Sequence, residues 1–126
     1  MTRKTPEADL QFDIVNYLNV ALTPSHFVAA IPNASRRTFF GHAANAVAGL
    51  YPGMPDLMIV GPLGRCAFIE VKADRGRLSD VQQAVHARLA TMGVPHCIAR
   101  SLDDVRAALV AWGIPTRESK SIGRAA

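Results

Sequence analysis

Two apolar runs separated by a turn are the feature that most constrains how this chain can fold. The runs cover residues 56–60 and 66–72, and residues 61–64 between them contain two glycines and a proline. Short apolar runs bounded by glycine and proline are typical of β-strands joined by a hairpin turn. The pattern therefore predicts an antiparallel pair of strands.

These two predicted strands also carry charged residues. Asp56 opens the first strand, and Glu70 and Lys72 lie near the end of the second. Because side chains alternate across a strand, Glu70 and Lys72 share one face, while Ile69 and Val71 point to the other. Antiparallel pairing can bring Asp56 close to Glu70, and two such carboxylates repel each other unless a cation or a proton lies between them. Magnesium prefers oxygen ligands, so the pattern predicts a divalent-metal site. Lys72 would orient or help to deprotonate a bound water, or neutralise charge on a phosphate.

Three segments carry the signals that mark the start of a helix. Thr5 precedes Pro6, which suits the first helical position. Ser79-x-x-Gln82 has the spacing of a capping box, and Ser101 precedes a further apolar stripe. Helices are therefore predicted over residues 6–22, from residue 80 to about residue 92, and from residue 102 to about residue 112.

Apolar residues recur along the second predicted helix at Val81, Val85, Leu89 and Met92. This spacing places them on one side of the helix, which we expect to be buried. His86 then falls on the outer side. No pair among the 4 histidines has metal-ligand spacing on a recognisable face, so none is assigned to a site.

Helices and strands alternate along the chain. Further strands are predicted at residues 27–31 and 95–100, and the small residues at 41–50 are compatible with a short helix. The chain of 126 residues has the length of one domain, and a domain of this size buries roughly two thirds of its unfolded surface. We expect an α/β fold in a single domain over residues 1–115, followed by a flexible polar tail over residues 116–126.

The charge balance favours a polyanionic partner. The formal net charge is +4 and the isoelectric point is about 9.6, so long-range attraction to phosphates is expected. Many soluble proteins are mildly basic, and the placement of the charge is therefore more informative than its sum. Arg36 and Arg37 precede the predicted site and Arg75 and Arg77 follow it, so positive charge brackets the carboxylates. His42 lies near the first pair and receives no role.

The apolar runs of this chain are short. None reaches the ~20 residues that a membrane-spanning helix needs, and residues 1–6 lack the apolar core of a signal peptide. We therefore expect a soluble protein that stays inside the cell.

Three motifs occur in an order that resembles the VRR-NUC branch of the PD-(D/E)XK nucleases. They are Gly53-x-Pro55-Asp56, Ile69-Glu70-x-Lys72 and Gly76-x-Leu78-Ser79-x-x-Gln82. An Asp followed by Glu-x-Lys occurs by chance in many chains, whereas the ordered set is far more specific. The likeness runs from about residue 31 to about residue 112 and includes Pro32-Asn33. It implies a restriction-endonuclease-like core, in which helices flank a mixed central β-sheet.

The resemblance also implies a site for Mg²⁺ or Mn²⁺. The ligands would be Asp56, Glu70 and the main-chain carbonyl of Val71, and Lys72 would position the attacking water. Related nucleases often supply a further acid from the first helix, which implies Glu7. An acid in the first turn of a helix is, however, also favoured by the helix dipole alone.

Other residues have two interpretations each. Gln82 serves the capping box, and by the resemblance its side chain also faces the metal or a phosphate. Polar residues of the loops are either solvated or contact DNA phosphates, and the resemblance favours the second role. The implied DNA-binding residues are Asn33, Arg36, Arg37, Arg75 and Arg77.

Together these features predict a magnesium-dependent deoxyribonuclease that cuts within DNA. Small members of the family resemble Holliday junction resolvases, which implies a structure-specific enzyme acting on branched DNA as a homodimer. A domain of this size with one site would cut a single strand at each visit, so paired cuts require two sites. Two alternatives remain open: a sequence-specific restriction-type endonuclease, and a DNA-binding module that does not cut.

Overall fold

The computed structural model describes residues 5–32 and 49–118. Helices cover both faces of a four-stranded sheet in these ranges. The elements in chain order are α1 (Pro6–Ala21), β1 (Phe27–Ala30), β2 (Leu57–Val60), β3 (Cys66–Val71), α2 (Asp80–Thr91), β4 (His96–Ala99) and α3 (Leu102–Ala111). The predicted order of these helices and strands is confirmed, with ends that differ by at most one residue.

The sheet is mixed, in the order β1-β2-β3-β4. β2 is antiparallel to both β1 and β3, while β3 and β4 are parallel. A 3₁₀ turn at Pro62–Gly64 closes the predicted hairpin, and α2 provides the crossover that a parallel pair requires. The prediction of a mixed sheet flanked by helices is confirmed.

One face of the sheet packs against α1 and α3 and forms the main core. Side chains of β2 and β3 alternate across the sheet, and those on this face are apolar. Each valine, leucine or isoleucine among them stabilises the fold by roughly 1.5–3 kcal/mol when it is fully buried. The buried members of this core are Ile14, Leu18, Leu22, Leu57, Ile59, Ile69, Val71, Ala99, Val105 and Leu109.

The other face packs against α2 through a smaller apolar cluster of Phe68, Val85 and Leu89. The predicted buried face of α2 is only half right. Val81 is 50% exposed and Met92 is 68% exposed. α2 is rotated so that its inner side runs through Gln82, Val85, His86 and Leu89. The sheet beneath it presents the carboxylate of Glu70, and polar partners on α2 meet that group.

Three residues at the start of the predicted polar tail pack against α1. Thr116 is buried and forms a β-bridge with Leu22. Nε of Arg117 donates to the carbonyl of Val20 at 2.9 Å, and the hydroxyl of Tyr17 donates to Glu118 at 3.1 Å. The fold therefore extends to residue 118, three residues beyond the predicted domain end. Residues 119–126 and most of the predicted short helix at 41–50 lie outside the described residues.

Candidate active site

Three carboxylates from different parts of the chain meet at one corner of the sheet. Glu7 comes from the first turn of α1, Asp56 from the residue before β2, and Glu70 from β3. One carboxylate oxygen from each lies within 4.8 Å of those of the other two. Three acidic groups so close repel one another unless a cation or protons lie among them, so this acidic corner has the donor set of a divalent-metal site.

The main chain positions Asp56. The register of β2 and β3 pairs Leu57 with Ile69, so its continuation sets Asp56 opposite Glu70. Oδ2 of Asp56 accepts a hydrogen bond from the N–H of Val71 at 2.7 Å. The carbonyl of Asp56 accepts one from the N–H of Ile31 at 2.8 Å. The predicted approach of Asp56 to Glu70 is therefore present, with the acid fixed at both its main chain and its side chain.

Gly53 allows the loop before Asp56 to approach α2 closely. Its φ of +86° lies in the left-handed region, and a Cβ at this position would lie 2.6 Å from the carbonyl oxygen of Val81. Any other residue would therefore force the loop and the first turn of α2 apart. The positive φ and the close contact with Val81 thus explain why the first residue of the Gly-x-Pro-Asp motif is glycine.

Glu70 is fully buried. Nε2 of Gln82 donates to its Oε2 at 3.2 Å, and Nε2 of His86 lies 3.4 Å from its Oε1. Burial raises the pKa of Glu70 to about 9, with further increases from the hydrogen bond and charge of Asp56 and from the charge of Glu7, while the charge of Lys72 lowers it. Glu70 therefore keeps its proton at neutral pH unless a cation takes the proton's place.

Gln82 forms the predicted capping box and also contacts Glu70, while its role towards a metal or a phosphate stays a prediction. Its Oε1 accepts a hydrogen bond from the N–H of Ser79 at 2.9 Å, and the Ser79 hydroxyl accepts one from the N–H of Gln82 at 3.2 Å. The predicted capping box is confirmed. Because Oε1 is engaged in the cap, the amide nitrogen is turned towards Glu70.

Lys72 is buried on the same side of the sheet as Glu70, as the alternation of β3 predicts. Its N–H donates to the carbonyl of Ala99 at 3.1 Å, beyond the last residue of β3. Its side chain passes Gly76, where a Cβ would lie 3.4 Å from Cδ of Lys72. Lys72 is therefore largely shielded from solvent, and its charge lowers the pKa of Glu70.

Arg75 and Arg77 are exposed in the loop between β3 and α2. This loop turns through a hydrogen bond from the N–H of Gly76 to the carbonyl of Ala73 at 2.8 Å. A guanidinium nitrogen of Arg100 donates to the carbonyls of Ala73 and Asp74 at 3.0 and 3.3 Å. The two exposed cations thus sit on an anchored loop next to the site. The other predicted DNA contacts, Asn33, Arg36 and Arg37, lie outside the described residues, as does His42.

His86 is the residue that sequence reasoning missed. It was expected on the outer side of α2, and it is instead buried beside Glu70. Burial lowers the pKa of His86, and the charges of His96 and Lys72 lower it further, against a smaller opposite effect of Asp56. The signal in the sequence was its position four residues after Gln82, which places both side chains on one face of the helix.

A cavity of about 610 Å³ lies at the other end of the sheet. Its lining includes His26, the turn residues 62–64 and Trp112, and none of the three clustered carboxylates. Its lining includes the cation Arg65 but no carboxylate, so it lacks the acidic groups that hold a divalent metal. The candidate site is therefore the acidic corner and not this cavity.

Comparison with solved structures identifies the class of fold. One structure, a VRR_NUC domain, has a TM-score of 0.59 and 20% sequence identity, covering 86% of this chain and 97% of its own. Another, a VRR_NUC domain protein, has a TM-score of 0.63 and 19% identity, covering 85% of this chain and 87% of its own. Likeness at such identities shows the fold alone.

The sequence identifies the family to which the chain belongs. The family model of the VRR-NUC domain matches residues 2–103, and the chain belongs to this family. The resemblance inferred from the three ordered motifs is confirmed, and the chain carries a nuclease-type DNA-processing domain. A comparison with curated proteins gives no match. Among the helices that the structure describes, none is both long and apolar enough to cross a bilayer.

Proposed function

We propose that this protein is a metal-dependent endonuclease that hydrolyses phosphodiester bonds in DNA. The observation that carries the proposal is the acidic corner of Glu7, Asp56 and Glu70, whose oxygens approach within 4.8 Å of one another. Lys72, which is also buried, lies on the same face of the sheet as Glu70. Carboxylates next to a lysine provide both charge for a cation and a positive group for the reacting phosphate.

The residues of the corner fit Mg²⁺ or Mn²⁺. Both ions take carboxylate and carbonyl oxygens, and Asp56, Glu70, Glu7 and the main-chain carbonyl of Val71 would hold one. The raised pKa of Glu70 supports this fit, because it reflects a carboxylate whose charge the protein does not balance. When bound, the ion makes a water more acidic and stabilises negative charge on the phosphate.

Lys72 provides a positive charge and Gln82 provides a hydrogen-bond donor, neither of which an ionised carboxylate can provide. The ammonium of Lys72 orients the attacking water or neutralises the charge that develops on the phosphate oxygens. Gln82 holds one oxygen of Glu70 at 3.2 Å. Because the capping box fixes the Gln82 amide, this contact forms without further ordering of the side chain.

DNA would approach over the loop that carries Arg75 and Arg77. These exposed guanidinium groups attract phosphates without reading sequence. Asn33, Arg36 and Arg37, which precede Asp56 in the sequence, would add further phosphate contacts. We infer recognition of DNA shape, with branched or junction DNA as the substrate, a homodimer as the working unit, and a location inside the cell.

The experiment is cleavage of labelled duplex, flap and four-way junction DNA in magnesium, manganese or EDTA. Cuts clustered at the branch, present with metal and absent with EDTA, are the expected result. Discrete bands on linear duplex would favour the restriction-type alternative. Binding without cleavage in either metal would favour the alternative of a DNA-binding module. If the mass of the protein–junction complex in solution corresponds to one protein chain, the proposal of a homodimer is wrong.

A further inference from the structure

The inner side of α2 carries two polar side chains one helical turn apart, and both reach the same carboxylate. Nε2 of Gln82 is 3.2 Å from Oε2 of Glu70, and Nε2 of His86 is 3.4 Å from Oε1. The terminal torsion of a glutamate is broad, so a carboxylate held at one oxygen still rotates. Contacts at both oxygens select one orientation of the Glu70 carboxylate.

The ring of His86 is supported from behind. It stands edge-on to the ring of His96, with centroids 5.3 Å apart and an interplanar angle of 80°. Nδ1 of His96 is 2.9 Å from the carbonyl oxygen of Val94. A carbonyl only accepts hydrogen bonds, so Nδ1 of His96 carries the hydrogen and its ring is tied to the backbone. His86 therefore lies between a fixed ring and Glu70.

His86 is not placed as a metal ligand. Within the part of the chain that the structure describes, the side chains spaced to share one ion are Glu7, Asp56 and Glu70. Since an ionised carboxylate only accepts, Nε2 of His86 would donate to Oε1 when Glu70 binds a cation. At 3.4 Å the contact is at the long end for N–H···O, which suits a group that orients rather than binds tightly.

We propose that His86 is a positioning residue, which acts with Gln82 to fix the angle at which Glu70 presents its oxygens to the metal ion. This inference rests on the proposed function, because it assumes that the acidic corner binds a cation. Loss of a group behind a metal ligand typically weakens metal affinity by about 10- to 100-fold.

The test compares Mn²⁺ affinity, measured by electron paramagnetic resonance on the full chain without DNA, with the thermal unfolding midpoint. His86→Leu should bind Mn²⁺ at least about 10-fold more weakly than the unmodified protein. His86→Gln places an amide nitrogen where Nε2 stands and should restore most of the affinity. His86→Asn is one methylene shorter, cannot reach Oε1, and should not restore it.

Val85→Ala is the matched control. Val85 is buried next to His86 on the same helix, and its truncation lowers stability without touching an oxygen of Glu70. It should keep the affinity of the unmodified protein. The inference is overturned if His86→Leu binds Mn²⁺ normally, if the Gln and Asn variants do not differ, or if Val85→Ala weakens binding as much.

The same samples separate this inference from the proposed function. An unmodified protein that binds Mn²⁺ but cuts no DNA would refute the nuclease proposal alone. Normal cleavage and metal binding by His86→Leu would refute the positioning role alone. An unmodified protein that binds no Mn²⁺ would overturn both. The comparison of His86→Gln with His86→Asn decides the matter even if the leucine variant does not fold.

Discussion

The two faces of the sheet are built differently. The face under α1 and α3 is closed by apolar side chains such as Leu18 and Ile69, both fully buried. The face under α2 combines an apolar cluster with buried Glu70, Lys72 and His86. Burial of polar groups is costly unless they are hydrogen-bonded, and among the described residues every buried side-chain nitrogen or oxygen has a partner. One face therefore supplies most of the apolar core, and the other buries polar groups at the candidate site.

The largest expected effect is loss of cleavage when a carboxylate of the α2 face is removed. Asp56→Asn or Glu70→Gln should abolish DNA cleavage, because each removes a metal ligand. The unfolding midpoint should stay constant or rise slightly, since Glu70→Gln removes a carboxyl that must bind a proton on folding and Asp56→Asn removes a negative charge beside it. Cleavage assays beside thermal unfolding test this. If folding and cleavage are lost together, these residues are structural.

Removal of the Lys72 ammonium group, on the same face, should lower the rate of DNA cleavage without weakening metal binding. Lys72→Met keeps most of the apolar stem and removes the charge, so the single-turnover rate should fall by roughly 10²- to 10³-fold. Metal affinity, measured by calorimetry, should not fall, because an ammonium repels a cation and is not a ligand. A variant that cuts at the unmodified rate excludes Lys72 from the mechanism.

A truncation on the apolar face should give the opposite result. Leu18→Ala should lower the free energy of unfolding by about 2–5 kcal/mol and leave the cleavage rate of each folded molecule unchanged. Val20→Ala is the control on the same helix, because Val20 is 72% exposed and should change stability by less than about 0.5 kcal/mol. A specific loss of cleavage in folded Leu18→Ala would show that the two faces are not independent.

The acidic corner should make metal-free protein sensitive to pH. The pKa of Glu70 rises from its ordinary 4.5 to about 9 on folding, so the folded state holds a proton that the unfolded chain releases. Stability is thus fully present below about pH 4.5 and falls as the pH rises towards 9. Unfolding midpoints in EDTA should decline across this window, and the decline should be smaller in Glu70→Gln. Equal slopes in both proteins would assign the effect to another group.

The smallest expected effect concerns the exposed loop beside the site. Arg75→Ala together with Arg77→Ala should reduce the slope of log affinity against log salt by roughly 1 to 2, since each phosphate contact contributes about 0.9. Junction binding in calcium at several salt concentrations gives the slope. Arg65→Ala, exposed at the other end of the sheet, should leave it unchanged. If the slope changes only in the double variant Arg36→Ala with Arg37→Ala, the phosphate contacts belong to Arg36 and Arg37 and not to Arg75 and Arg77.

Local patterns were enough to predict the strands and their pairing. The hairpin of β2 and β3 followed from two apolar runs around a turn, and its register brought Asp56 to Glu70. The capping box at Ser79 and Gln82 also formed as predicted. These features depend on neighbours within a few residues, where hydrogen-bond geometry and side-chain alternation leave few choices.

The inner face of α2 could not be chosen in this way. Apolar periodicity selected Val81 and Met92, whereas the helix turns Gln82 and the buried His86 towards Glu70 on the sheet beneath it. The periodicity of hydrophobic residues in a helix contains no information about the polar groups of a strand that is distant in sequence, such as Glu70 on β3.

The sequence therefore specified the strands, the caps and the acids that can bind a metal, because each depends on short-range chemistry. Only the packed structure decided that Glu7 joins Asp56 and Glu70, and that His86 faces inward. Both results depend on where α1 and α2 dock on the sheet. The position of the helices depends both on how much apolar surface they bury and on the hydrogen bonds that α2 makes to the buried carboxylate of Glu70. These contacts form only when the helices and the sheet have come together.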